Sequence, residues 1–249
     1  MEIEENQRID ILPNGYKIIQ DTERFMYGID AVLLASFALE GIKQNDKLID
    51  LGTGTGIIPL LLEKVSCASL IYGLEIQKDS FEMAKKTMEI NGLNNKISII
   101  QGDIKKVSQI SSLSKHQFNV VTVNPPYMTC EDGKFSPNDA KAIARHEVLC
   151  NLEDVIKAAD YLLSSHGKFF MIHRAYRLAE ILYLLKKYNL EPKTLKLIQP
   201  SIEKEANLVL VEARKNAKSQ LNIKQNLIVY KEKGVYSDEV KSLYKSVGL

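Results

Sequence analysis

The chain predicts an α/β fold built on an open, doubly wound, mostly parallel sheet. Three observations predict it. Short runs of Ile, Val, Leu and Phe alternate with segments of helical spacing; a glycine-rich turn directly follows the first such run; and the last two runs lie too close together for a crossover helix.

Taken in order, DILPNGYKIIQ (10–20) reads as a hairpin turning at Pro13, Asn14 and Gly15, and YGIDAVLLASFALEG (27–41) as an apolar, core-packing helix that stops at Gly41. KLIDL (47–51), LIYGLEI (70–76), KISIIQG (96–102), FNVVTVN (118–124) and KFFMIH (168–173) read as buried parallel strands. Helical spacing fills the gaps in IIPLLLEKV (57–65), KDSFEMAKKTMEING (78–92), LEDVIKAADYLLSS (152–165) and AYRLAEILYLLKKY (175–188). LKLIQP (195–200) and NLVLVEARK (207–215) have only SIEKEA between them, so they should form an antiparallel hairpin.

Composition excludes several classes. An apolar fraction of 45% over 249 residues is ample for a packed core. No uninterrupted apolar run reaches the roughly 18 residues of a membrane span, and the acidic start MEIEENQRID is unlike a targeting peptide, so a cytoplasmic protein is expected. Cys67, Cys130 and Cys150 are odd in number and form no C-x-x-C pair, which argues against a disulfide framework and against zinc; no metal is expected. The net charge of +2 does not by itself imply nucleic acid, but it is unevenly distributed: from Arg214 onward eight Lys or Arg face three Asp or Glu. That segment reads either as a solvated, separable tail or as a grip on phosphates.

The candidate chemistry gathers at the carboxyl ends of the strands, where open α/β sheets bind nucleotides. Asp50-Leu51-Gly52-Thr53-Gly54-Thr55-Gly56 has the spacing G-x-G-x-G. Ile57 stands where a dinucleotide fingerprint needs glycine, and no Gly-Lys-Ser/Thr is present, so a pyrophosphate cradle is disfavoured. Glu75 ends the second strand, where a carboxylate can accept both hydroxyls of a ribose, and Asp103 follows the third, where it could meet an adenine amine. In VVTVNPPY (120–127) an apolar strand stops on Asn124, Pro125, Pro126 and Tyr127. Prolines stop a strand by removing ladder donors, but stopping it requires neither the amide of Asn124 nor the flat ring of Tyr127, which together suit a planar substrate.

DLGTGTG, LEIQ, QGDI and NPPY, in this order and spacing, resemble the motifs of class I S-adenosylmethionine-dependent methyltransferases, and the last marks those acting on amino or amide nitrogens. GYKIIQDTERFMYGIDAVLLASFA and ARHE (144–147) resemble, more narrowly, bacterial tRNA (adenine-N6) methyltransferases acting on valine tRNA beside the anticodon. The resemblance implies a Rossmann-like, seven-stranded sheet and one methyltransferase domain over 1–249: an N-terminal hairpin and helix closing the cofactor site (1–45), a catalytic core (46–213) and a basic extension (214–249). It also implies S-adenosyl-L-methionine as cofactor and tRNA as partner; no protein partner is indicated. Carried over, Asp50, Gly52, Thr53, Gly54 and Gly56 would line the methionine part, Glu75 and Ile76 the ribose, and Asp103 and Ile104 the adenine, with Phe25, Tyr27 and Asp30 closing the site from the N-terminal side and Asn124 touching the cofactor while facing the acceptor amine.

An aromatic exocyclic amine is a poor nucleophile because its lone pair is delocalised into the ring. Two acceptors aimed at its hydrogens, the Asn124 side-chain oxygen and the Pro125 carbonyl, would favour a pyramidal nitrogen, and Tyr127 would stack on the base. Arg145 and His146 would contact substrate by the resemblance, and equally suit a surface helix start. Arg174 and Arg177, after the fifth strand, suit phosphate or ordinary surface charge. Residues 128–142 read as a lid over the substrate. Two other activities fit parts of this pattern: a protein glutamine N-methyltransferase, which the short stretch before the glycine turn disfavours, and a catalytically inactive RNA-binding protein, which the intact NPPY disfavours.

Overall fold

The computed structural model describes residues 4, 6–22, 27–125 and 150–249. A hairpin comes first, β1 (Gln7–Ile11) against β2 (Lys17–Asp21), antiparallel. Its turn is held where Asn14 Oδ1 accepts the Tyr16 N–H at 3.0 Å. Helix α1 (Ile29–Leu39) leads into β3 (Lys47–Leu51), α2 (Ile57–Val65), β4 (Leu70–Glu75), α3 (Lys78–Ile90), β5 (Ile97–Gln101) and β6 (Phe118–Val123). Then follow α4 (Leu152–Leu162), β7 (Leu163–Arg174), α5 (Leu178–Lys187), β8 (Leu190–Gln199) and β9 (Leu208–Lys215).

The seven long strands of the central sheet stand in the order β8-β9-β7-β6-β3-β4-β5, and β9 runs antiparallel to both neighbours. The doubly wound sheet with its antiparallel last hairpin is the architecture the alternation predicts. Helices α1, α2 and α3 lie over one face of the sheet and α4 and α5 over the other, the two sets covering separate apolar clusters.

Two strands begin earlier than their apolar runs. β7 starts at Leu163, directly after α4, because Leu163 is already extended (φ −70°, ψ 134°). β8 starts at Leu190 although Pro192 lies inside it; the ladder with β9 shifts register between Pro192 and Thr194, the kind of irregularity that accommodates a residue without an N–H.

The basic C-terminal segment is not a separable tail. β10 (Asn222–Ile223) and β11 (Leu227–Ile228) add parallel to the outer edge of β8. A small hairpin, β12 (Tyr230–Glu232) and β13 (Val235–Tyr236), then leads to α6 (Asp238–Ser246), which packs against α1. Leu227, Val229, Val240 and Val247 are buried in the same cluster as α1. This explains why α1 is apolar on every side: from Asp30 to Ala38 all its residues are buried, with the sheet beneath, where Phe37 meets Phe170 edge to face at 5.7 Å, and α6 above, where the Ser36 and Ser246 hydroxyls lie 2.7 Å apart.

Candidate active site

The site is assembled from the turns that leave β3, β4, β5 and β6 at their carboxyl ends. After β3 the backbone takes φ of 71° at Gly52, 58° at Gly54 and 86° at Gly56, values that only glycine adopts without strain. The Gly52 and Thr53 N–H groups both donate to the Leu74 carbonyl, at 2.9 and 3.0 Å, which ties the turn to β4. A Cβ built on Gly52 or Gly54 would meet nothing within 4 Å, so these glycines border open space. Gly56 faces inward, where a Cβ would come within 2.7 Å of Met88 of α3.

Glu75 closes the turn from the neighbouring strand. It is only 5% exposed, yet both oxygens have partners: Oε2 accepts the Gly54 N–H at 2.9 Å and Oε1 the Gln77 N–H at 2.8 Å. Each oxygen keeps a further lone pair, so the carboxylate can also accept two ligand hydroxyls. A buried acid at the strand end, beside an open glycine turn, fits the ribose and chain of a nucleoside cofactor.

Asp50 lies beneath that turn. It pairs in register with Gly73 of β4 and Thr122 of β6, so the three share one face. Oδ1 accepts from the Thr122 hydroxyl at 2.7 Å, while Oδ2 and the nearby Thr53 hydroxyl are buried without a hydrogen bond. Burial first, and the charge of Glu75 as well, push the Asp50 carboxyl up to about 7, against the pull of the Thr122 hydroxyl. Gly73 makes the room: a Cβ there would fall 2.8 Å from the Thr53 methyl.

Asp103, just after β5, accepts the Lys105 N–H at 2.9 Å and caps the 3₁₀ segment Ile104–Gln109, which kinks at Lys106. Asn124 and Pro125 follow β6 directly, and the Asn124 side-chain N–H donates to Asp30 Oδ2 at 3.2 Å, across 94 positions of sequence. Tyr27 is held from the hairpin, its N–H donating to Gln20 Oε1 at 3.0 Å, and burial raises its phenol above the ordinary value.

The structure thus brings together Gly54 with Glu75, Asp50 with Thr53, and Asp30 with Asn124. Ile76 follows Glu75 at the same strand end. Arg174 ends β7, and Arg177 makes a two-pronged pair with Glu180 at 2.8 and 2.7 Å. His173 beside them is buried, accepts the Arg174 N–H and is pushed down to about 4 by burial and then by Arg177, so it stands as a neutral ring. Phe25, Pro126, Tyr127, Arg145 and His146, with Cys130 and the segment 128–142, lie outside the described residues.

Sequence reasoning took α1 as core packing and missed that its one acid reaches Asn124. The signal was present: Asp30 is the only charged residue between Tyr27 and Leu39. The basic residues of the C-terminal segment also separate. Arg214 and Lys215 pair with Glu212 and Asp160 at the end of the sheet away from the site, whereas Val229 and Tyr230 bond to Gln199 and Pro200 at the site end and lead into the exposed Lys231 and Lys233.

The glycine turn, the buried strand-end acid and the Asn-Pro after the fourth parallel strand define a class of protein, the methyltransferases. A model described as "Methyltransferase domain" matches residues 42–225. Among solved structures, a predicted O-methyltransferase from Agrobacterium tumefaciens superposes with a TM-score of 0.70 at 22% identity, covering 88% of this chain and 96% of that one. The M. jannaschii tRNA m1G37 methyltransferase superposes with a TM-score of 0.60 at 18% identity, covering 86% of this chain and 55% of that one. Among curated relatives, the tRNA1(Val) (adenine(37)-N6)-methyltransferase of Histophilus somni is 31% identical over 92% of both chains. The protein of the same name from Porphyromonas gingivalis is 30% identical over 85% of this chain and 84% of its own. The chain belongs to the tRNA1(Val) (adenine(37)-N6)-methyltransferase family.

Among the described residues no helix is long and apolar enough to cross a membrane, and no group of three or more His, Cys, Asp or Glu could hold a metal ion.

Proposed function

We propose that this chain, as one methyltransferase domain with its C-terminal segment built in, methylates the exocyclic N6 amine of an adenine in tRNA, beside the anticodon of a valine tRNA, in the cytoplasm. The observation that carries the reading is Asn124-Pro125 at the end of β6, on the same edge of the sheet as the open glycine turn and Glu75; family membership supports the substrate. S-adenosylmethionine, when bound, supplies a sulfonium-activated methyl group.

The chain's own residues would then do two things. The backbone of Gly52–Gly56 and the Glu75 carboxylate hold the nucleoside so that its reactive end lies toward β6. Asn124 Oδ1 and the Pro125 carbonyl accept the two N6 hydrogens, drawing the nitrogen toward a pyramidal shape whose lone pair points at the methyl carbon, an interaction that strengthens in the transition state. Pro125 suits the task because it brings a carbonyl without a competing N–H. The nitrogen that takes the methyl group would lose one of the hydrogens held by Asn124 Oδ1 and the Pro125 carbonyl, and that proton would pass to solvent. In-line placement supplies much of the remaining rate.

Nucleoside mass spectrometry of a valine-tRNA transcript incubated with the protein and S-adenosylmethionine tests the reading, with N6-methyladenosine as the expected product. Asn124→Ala should keep cofactor affinity and lose single-turnover rate by about a hundredfold, on the scale of removing one oxyanion-hole donor. Undiminished transfer in that variant would remove Asn124 from the mechanism.

A further inference from the structure

An amide has two ends that differ only in chemistry: Oδ1 accepts and Nδ2 donates. A rotation of half a turn about the last side-chain bond exchanges them at little steric cost. The proposed role of Asn124 requires the accepting end to meet the substrate amine, so the other end needs a partner that can only accept. Asp30 is such a partner. Its Oδ2 takes the Asn124 N–H at 3.2 Å, and the residue is only 8% exposed.

The placement of Asp30 is itself built. It stands in the first turn of α1, where backbone N–H groups and the helix dipole favour a negative side chain. Gly28, the residue before the helix, leaves room for it: a Cβ there would come within 2.8 Å of Asp30 Oδ1. The helix that carries it is buried on all sides, between the sheet and α6, so the carboxylate is set by rigid packing and not by a surface loop.

We infer that Asp30 is a positioning residue for methyl transfer: it fixes the orientation of the Asn124 amide and, by accepting its N–H, polarises that amide so that Oδ1 is a stronger acceptor as positive charge develops on the substrate nitrogen. This rests on the proposed function and differs from the role the family resemblance gives Asp30, which is contact with the cofactor.

The full chain carrying Asp30→Asn, with Gly28→Ala as a second variant that crowds the carboxylate without removing it, provides the test. For Asp30→Asn the expected result is a fall of about ten- to a hundredfold in single-turnover rate at saturating cofactor and tRNA, by analogy with losing the partner that orients a metal ligand. Dissociation constants for S-adenosylmethionine and tRNA should stay within about twofold, and Gly28→Ala should move the rate in the same direction. In an Asn124→Ala background Asp30→Asn should cost nothing further. Independently of turnover, the side-chain NH2 signals of Asn124 in ¹⁵N-resolved NMR, assigned by their loss in Asn124→Ala, should shift in Asp30→Asn. Weaker cofactor binding with an unchanged saturated rate would overturn the inference and make Asp30 a cofactor ligand, and unshifted amide signals would overturn it directly. A wild-type chain that labels no adenine N6 would instead sink the proposed function itself.

Discussion

Asp50→Asn should make the protein more stable at neutral pH, and the size of the gain follows from the environment of the carboxyl. Burial holds it at about 7 against an ordinary 3.8. At roughly 1.4 kcal/mol per tenfold change in proton affinity, keeping it ionised in the fold costs on the order of 4 kcal/mol. The sign follows from proton binding. Below pH 4 the carboxyl is protonated in both folded and unfolded chains, and its contribution to stability is fully present. Between about 4 and 7 the folded chain binds the extra proton, so stability falls as pH rises, and above about 7 the loss is complete. Asparagine has the same shape and no charge. Its oxygen can accept from Thr122 as Asp50 Oδ1 does at 2.7 Å, and its NH2 can donate to the Thr53 hydroxyl, which is buried without a partner. The variant's advantage should therefore be near zero at pH 4 and grow to at most about 4 kcal/mol at pH 8, each kcal/mol moving the melting temperature by about 2 to 4 °C. Urea unfolding of both chains across that range is the assay. A variant less stable than wild type at pH 8, or an advantage independent of pH, would refute the reasoning.

Other substitutions probe the remaining parts of the site and its support. Glu75→Ala leaves the Gly54 and Gln77 N–H groups without their acceptor; calorimetry should find S-adenosylmethionine weakened by about 1.5 to 3 kcal/mol, and unchanged affinity would take Glu75 out of the cofactor site. Leu227→Ala, at a fully buried position of the C-terminal segment, should cost about 2 to 5 kcal/mol in urea unfolding; a loss below 1 kcal/mol by the same reasoning would mean the segment is only loosely attached. Charge reversal separates the lysines. Lys231→Glu with Lys233→Glu, at the site end, should weaken tRNA binding and flatten its salt dependence, whereas Lys218→Glu with Lys224→Glu should leave the slope unchanged. Equal slopes in both pairs would leave the C-terminal segment as a structural element only.

What the sequence disclosed and what it hid divide along physical lines. Periodicity and gap length disclosed the sheet, because buried parallel strands must be apolar throughout and six residues cannot cross over the sheet. The acids after β4 and β5 and the Asn after β6 could be placed for the same reason: the carboxyl end of a parallel strand is a position in space as well as in sequence. Periodicity could not show which residues lie behind the site. Asp30 meets Asn124 only through tertiary packing, and β11 joins β8 through main-chain bonds that leave little mark on side chains. The uniform apolarity of α1 was the legible hint of a second cover, since a helix with one exposed side would carry a polar stripe. Net charge misled. Counting Lys and Arg from Arg214 onward treats them as one patch, while the fold pairs Arg214 and Lys215 with acids at the far end of the sheet and carries Lys231 and Lys233 to the near end.

The three acids at and beneath the turns differ in their surroundings. Asp103 meets one backbone N–H and caps a short turn. Glu75 meets two, from both sides of the space beside Gly54. Asp50 meets none, only a threonine hydroxyl, and is fully buried. Burial first, and then the charge of Glu75, drive Asp50 toward its neutral form. The sheet thereby places one negative acceptor where ligand hydroxyls can reach it and keeps the buried neighbour beneath the glycine turn from competing. Replacing Glu75 by a neutral side chain should accordingly let Asp50 ionise at lower pH, so in Glu75→Gln the stability loss that Asp50 imposes should still begin near pH 4 but be smaller and complete at a lower pH than in the wild-type chain.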